Sequence, residues 1–336
     1  MTSPNLILSR HAFLVLFMFA LTLSGAFSMS GNADTTEQVW QAPGPLGALE
    51  GVYLTTGDTS SPTVIIVPGS GPTDRDGNNP LGVTAATYRY LAQDLAKAGI
   101  SSIRIDKRGM FGSKTAVKDA NKVTLADYAD DIHSWIRVAR EKNDGSCVWL
   151  LGHSEGALVV LLAAQTKGPV CGLLLVSSPG RTFGDVLRQQ LRDNPANTPL
   201  LDDAMTAIKA LESGRKVDVT KFHPALQGLF APQVQGYMSD LMAYDPAKLI
   251  ANIPVPVLIL QGEQDLQVTL QDANRLHGAL PAARLVLIPR SNHVLKQVTS
   301  DNRAANLATY ADPSAPLAPG VIDAITNFVK EPSARK

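Results

Sequence analysis

The chain has 336 residues, 45% of them apolar and 18% charged, and its 30 basic and 30 acidic side chains cancel to a formal net charge of zero. That length is ample for one large core, or for a core with a small accessory domain. With no basic excess to neutralise phosphates, nucleic acid is excluded as a partner class.

Arg10 and His11 precede "AFLVLFMFALTLSGAF", an apolar stretch that closes on the small residues Ser24, Gly25 and Ala26. This order reads as a signal peptide over residues 1–28, cleaved near Ala26 or Ser28, for export to the periplasm or secretion. An uncleaved N-terminal membrane anchor is the alternative, although the run is short for a span. After cleavage the chain keeps no stable membrane span. Residues 29–46 read as a polar leader before the fold.

"GALEGVYLTTG" alternates enough for one or two outer strands. "TVIIVPGSG" (63–71) is a continuous β-branched run stopped by Pro68 and Gly69, as expected of a buried parallel strand. A helix follows over 86–98, then the strand "SSIRIDKRG". Thr124 caps a helix whose Leu125, Tyr128, Ile132, Trp135 and Ile136 share one face. Next come the strand "CVWLLGHS", a helix from Glu155 to about Gln165 and the strand "CGLLLVSS". The strands "VPVLILQG" (255–262) and "RLVLIP" (284–289) and helices at 269–279 and 320–330 complete the pattern.

Alternation of strands and helices with short Gly/Pro connections predicts an α/β fold, a mostly parallel sheet with helices on both faces. The predicted core covers 47–180 and 251–332. The interval between them, 181–250, is too long for one crossover and carries helical patterns at 183–193, 199–213 and 225–242, so it reads as an inserted helical cap. In that cap Phe222, Leu229, Phe230, Tyr237 and Met238 either line a pocket or pack the cap onto the core, packing being the commoner fate of such residues.

Cys147 and Cys171, the only cysteines, each open a predicted strand. If those strands are parallel neighbours, the Cα atoms lie within disulfide range, and export would supply the oxidising compartment. Two buried free thiols are the alternative.

The chemistry gathers around "LLGHSEGALVV" (150–160). An apolar strand ends at Gly152 and a small-residue helix begins directly after Ser154. A Ser on so sharp a strand-to-helix turn projects its hydroxyl above the sheet, and larger residues two positions either side would clash. Such a hydroxyl needs a base, and the base an orienting carboxylate, in the chain order Ser, acid, His. Of six histidines, only His293 lies just past the end of a predicted core strand. Asp265, just past "VLILQG", is the expected acid, with Glu263 the fallback. Donors for a developing oxyanion are expected from the backbone N–H of Glu155 and of Ser70, with Gly71 the alternative to Ser70.

Taken together, "PGSGPTDRDGNNP", "DKRG", "GHSEG", "GEQD" and "SNH" resemble the α/β-hydrolase family over about residues 47–332. The similarity is to bacterial esterases and serine-aminopeptidase-like hydrolases with a Gly-Ser-Gly-Pro-x-Asp-Arg-Asp-Gly loop. The resemblance implies an eight-stranded sheet, a Ser154–Asp265–His293 triad, and neither cofactor nor metal. Two departures stand out: Pro68-Gly69 replaces the His-Gly of many relatives, and Phe111 occupies a usual Gly position, where it narrows the pocket or merely packs.

Asp74, Arg75 and Asp76 do not have the spacing of an EF-hand loop. With Gly69, Gly71 and Arg108 they are expected to support the oxyanion loop, the charged members through salt bridges. A free carboxylate at Glu155 would oppose an oxyanion, so it is expected to turn away and pair with Arg75 or Arg108. The function these residues imply is an exported serine hydrolase acting on small-molecule carboxylic esters. A peptidase or amidase using the same residues, and a non-catalytic binding protein that kept the fold, are the alternatives.

Overall fold

Short, continuous apolar runs build the centre of the molecule. The computed structural model describes residues 36–166 and 168–331. Its strands are β1 (Glu37–Ala42), β2 (Leu49–Leu54), β3 (Thr63–Val67), β4 (Ser101–Ile105), β5 (Val148–His153), β6 (Val170–Val176), β7 (Val257–Gly262) and β8 (Arg284–Ile288). They form one eight-stranded sheet in the order β1-β2-β4-β3-β5-β6-β7-β8. β2 runs antiparallel to both β1 and β4, and the other pairings are parallel. Every residue of β3, β4, β5 and β7 is buried, as strands covered on both faces require.

Alternate side chains of these strands enter two separate cores. Ile65, Val67, Leu150 and Leu175 pack with α2 (Leu125–Lys142) and α3 (Glu155–Ala163), whose sequences put Ile132, Trp135, Val159 and Val160 inward. Val64, Ile66, Leu151 and Leu174 pack on the opposite face with α1 (Thr87–Lys97) and the last helix, Val321–Lys330, through Leu91, Leu95, Ile325 and Phe328. Thr124 caps α2 in a reciprocal capping box with Asp127.

Between β6 and β7 the chain leaves the sheet to form α4 (Phe183–Arg192), α5 (Leu201–Glu212), α6 (Pro224–Leu229), α7 (Gln235–Met242) and α8 (Pro246–Ile250). Leu187, Leu191, Ile208, Leu211, Leu226, Phe230 and Met238 give this cap a core of its own. α9 (Leu270–Ala279), α10 (Arg303–Ala308) and α11 (the Val321–Lys330 helix) complete the chain. The sequence pattern contains no expectation of α10, which has six residues and buries only Asn306.

The expected leader is corrected in part. Residues 37–42 form β1, whose Trp40 stacks on Tyr53 of β2 with ring centroids 4.0 Å apart. Only Trp40 and Ala42 of this strand are buried, so its apolar alternation is too short to register in the sequence. The expected signal peptide lies outside the described residues. Among the described residues, no helix is long and apolar enough to cross a membrane.

Cys147 and Cys171 are joined in a disulfide, with Cα atoms 5.3 Å apart. The β5–β6 register passes from Val148↔Val170 to Trp149↔Gly172, which leaves Cys171 as the extra residue of a bulge. The bridge closes a loop with a sequence separation of 24, and its reduction is expected to lower stability by about 3 kcal/mol. Thiol titration of the unfolded, unreduced protein should find no free thiol; two would contradict the pairing.

Candidate active site

β5 runs into α3 with a single residue, Ser154, at the junction. Its backbone adopts φ 55° and ψ −122°, a combination that L-residues rarely hold and that costs of order 1–3 kcal/mol. The flanking glycines explain how the turn closes. A Cβ at Gly152 would strike the Gly156 carbonyl and the Ala157 backbone, and one at Gly156 would strike the carbonyls of Val67 and Pro68. Two absent side chains thus let α3 sit against β5 and β3. The Ser154 amide donates to the Val176 carbonyl, which ties the turn to β6.

Asp265 follows β7 and His293 follows β8, and both are buried. His293 Nδ1 donates to Asp265 Oδ2 at 2.9 Å, while the amides of Gln267 and Val268 donate to Asp265 Oδ1 at 2.8 and 2.9 Å. Burial pushes the Asp265 carboxyl up, but the facing His293 and these amides bring it below its ordinary value. The carboxylate therefore fixes the tautomer of His293 and leaves Nε2 as an acceptor. Glu263, the fallback, is exposed and makes no such contact. Ser154 and His293 line one cavity of about 150 Å³. Among the described residues no hydrogen bond joins the Ser154 hydroxyl to His293; in unliganded sites such bonds are often long and tighten with the substrate in place.

His153, beside the turn, has a positioning arrangement that the sequence did not reveal. Its Nε2 donates to the His293 carbonyl at 2.7 Å, and its Nδ1 accepts from the Tyr88 hydroxyl at 2.8 Å. Tyr88 in turn accepts from the Gly69 amide at 3.0 Å. Burial, followed by the neighbouring His293, lowers the pKa of His153 to about 3, so the ring is neutral and its tautomer is set.

The loop after β3 is held from both sides at Gly69. The Lys107 ammonium donates to the Gly69 carbonyl at 2.7 Å. A trans peptide sends its C=O and N–H in opposite directions, so this bond orients the Ser70 amide away from Lys107. That amide donates to no backbone acceptor among the described residues. The Glu155 amide opens α3 and has no intrahelical partner. Gly71, at φ 66°, makes the turn that follows.

The expected partners of Glu155 are corrected. Its carboxylate lies 3.5 Å from Lys107 Nζ and accepts from the Tyr237 hydroxyl at 2.7 Å. Arg75 and Arg108 are already engaged. Arg75 pairs with Asp106 and Glu50, and Arg108 with Asp127 and Asp131. Lys107 comes from the turn after β4 and Tyr237 from the cap, so only the folded chain brings them to Glu155. The "DKRG" stretch was visible in the sequence, but its lysine had no assigned role. Asp74 accepts from the amides of Asp76 and Asn78, and Asp76 pairs with Arg104, making a charged scaffold under the loop. Phe111 neither narrows the pocket nor packs inward: it is 41% exposed at φ 44°, a backbone conformation that favours glycine.

A parallel sheet with a strained serine between strand and helix, and with a histidine–aspartate pair past the last two strands, defines a class of α/β enzyme folds. Residues 64–303 match the alpha/beta hydrolase family, and the chain belongs to that family. Esterase EstD of Thermotoga maritima is 27% identical over 227 residues, which cover 66% of this chain and 50% of that protein; the chain thus matches about half the length of this relative. Among solved structures, Est1E of Butyrivibrio proteoclasticus with ferulic acid bound superposes with a TM-score of 0.54 at 16% identity, over 87% of this chain and 96% of that one. Proline iminopeptidase of Mycobacterium smegmatis gives 0.54 at 17%, over 87% and 97%. These structural likenesses speak to the fold alone.

Two outcomes follow from the buried titratable groups. Lys107→Met leaves the buried Glu155 without its ion-pair partner, and should destabilise the fold by about 3 kcal/mol. Lys107→Met with Glu155→Gln should recover most of that loss in denaturant titrations, and equal losses would show that the pair does not interact. A neutral His153 stabilises the fold fully above the ordinary histidine value of 6.5, and that contribution fades as pH falls toward 3 because the unfolded chain takes up the proton first. The stability margin of wild type over His153→Gln should therefore be larger near pH 7 than near pH 4; a margin independent of pH would remove the linkage.

Proposed function

We propose that this protein is an exported serine hydrolase that cleaves carboxylic esters through an acyl-enzyme on Ser154. Ser154 Oγ attacks the carbonyl carbon while its proton passes to His293 Nε2. The tetrahedral oxyanion takes hydrogen bonds from the amides of Ser70 and Glu155. Collapse breaks the ester C–O bond, and His293 returns the proton to the departing alcohol. Water, giving a proton to His293, then attacks the acyl carbon; the acyl C–O bond breaks, His293 returns the proton to Ser154 Oγ, and the acid leaves. Asp265 holds the imidazole and stabilises its charged form.

The observation that carries this reading is the strained Ser154 backbone between β5 and α3, sharing a cavity with a histidine whose tautomer Asp265 sets. Lys107 supports it further by neutralising Glu155 beside the oxyanion position. The similarity to an esterase of Thermotoga maritima is in keeping with ester chemistry. The apolar stretch before Ala26 and the Cys147–Cys171 disulfide are in keeping with export to an oxidising compartment.

A fluorophosphonate probe should label wild type and leave Ser154→Ala unlabelled. On short acyl esters, Ser154→Ala should lose turnover by at least about four orders of magnitude. Equal turnover by the two proteins would overturn the mechanism. Turnover of aminoacyl anilides with none of esters would assign the same residues to a peptidase.

A further inference from the structure

Three cavities meet at Ser70, and they are unequal. One, of about 150 Å³, holds His293 and Ser154 and has Thr73, Asn79, Thr87, Gln267 and Tyr310 in its wall beside Val83 and Val294. A second, of about 210 Å³, touches Ser154 and Glu155 and is walled by Leu158, Phe183, Leu187 and Leu229. The third, of about 820 Å³, shares Ser70, Glu155, Phe183, Leu229 and Leu241 with the second and extends under the cap past Met238. Neither of the two apolar cavities includes His293 among its walls.

From this arrangement we infer the substrate class: esters of a large apolar acyl group with a small alcohol. The inference rests on the ester reading above and goes beyond it. Chemistry dictates which part of the ester lies where. The departing oxygen must sit against the imidazole that protonates it, so the alcohol projects into the cavity that contains His293. The acyl substituent leaves the tetrahedral carbon in another direction, along the walls shared by Ser154 and Glu155. The alcohol thus has about 150 Å³, below the range of ordinary ligand pockets, and the acyl group has a cavity well within that range.

The lining chemistry runs the same way. In the alcohol cavity Thr73, Asn79 and Thr87 spend their donors on Ser70, Thr73 and Val294, and Gln267 donates to Tyr310, so it is the small volume that calls for a short alcohol. The large cavity has charged groups in its wall, Lys107 and Glu155, but they pair with each other, and the Tyr237 hydroxyl is spent on Glu155. That wall therefore calls for no charge on the acyl group. Its lining includes Leu81, which is 84% exposed. An apolar side chain there gains a partner when an apolar acyl group enters.

Isomeric esters test the assignment without changing overall hydrophobicity. Methyl heptanoate and hexyl acetate have the same formula with the long chain on opposite sides of the carbonyl. Wild type should hydrolyse methyl heptanoate with kcat/KM about tenfold or more above that for hexyl acetate. Gly228 borders the large cavity and has open space where a Cβ would stand, so Gly228→Trp adds bulk there without a backbone clash. It should lower that ratio by about tenfold. Hydrolysis of both esters with hexyl acetate preferred, or a ratio unmoved by Gly228→Trp, would overturn the division of the site while leaving the ester reading intact. Hydrolysis of neither would overturn both.

Discussion

The backbone of Ser154 is the constraint on which the remaining arrangement depends. A residue held at φ 55° and ψ −122° persists only where its surroundings over-determine it. Here they do so from three directions. Gly152 and Gly156 remove the side chains that would keep α3 from the sheet, β6 takes the Ser154 amide, and the buried apolar face of α3 fixes the helix. Strain at one junction is thereby balanced by packing across the centre of the sheet. The hydroxyl and the first amide of α3 consequently occupy neighbouring positions at the strand ends.

Around that junction, neutral and charged groups have distinct tasks. The buried His153 ring is uncharged and joins two backbone segments, the Gly69 amide through Tyr88 and the carbonyl of His293 directly. Burial lowers the pKa of Lys107 and the facing Glu155 opposes that shift; the lysine does two things at once, holding the Gly69 carbonyl and pairing with Glu155. Removing water strengthens both interactions and makes an unpaired member costly, so the groups are best regarded as a network. The cap enters this network through Tyr237, which couples the cover of the cavity to the residue that follows the serine.

Much of this was legible in the amino-acid order because it is local. The β-branched runs of β3 and β7, the Thr124 cap and the glycine spacing about Ser154 each express a backbone requirement within a few residues. Asp265 and His293 were legible through topology, since a parallel sheet delivers its strand ends to one place. The partners of Glu155 were not. A side chain reaching Lys107 from another strand and Tyr237 from an insertion has no signature in spacing, and two arginines nearer the loop in sequence were the natural expectation. The Tyr88–His153 contact was hidden for the same reason. β1 was missed because a strand with only two buried residues has hardly any pattern to detect.

That weak first strand has a consequence for the outer border of the sheet. β1 covers the hydrogen-bonding groups along one side of β2, and its Glu37 bonds Arg104, which also holds Asp76 beneath the loop of Gly69 and Ser70. A polypeptide trimmed to begin at Gly47 would bare that row of amides and carbonyls to other molecules. Uncovered strand borders recruit copies of themselves. β1 thus stands at the border of the sheet in place of β2, and it also reaches the loop of Gly69 and Ser70 through a single arginine.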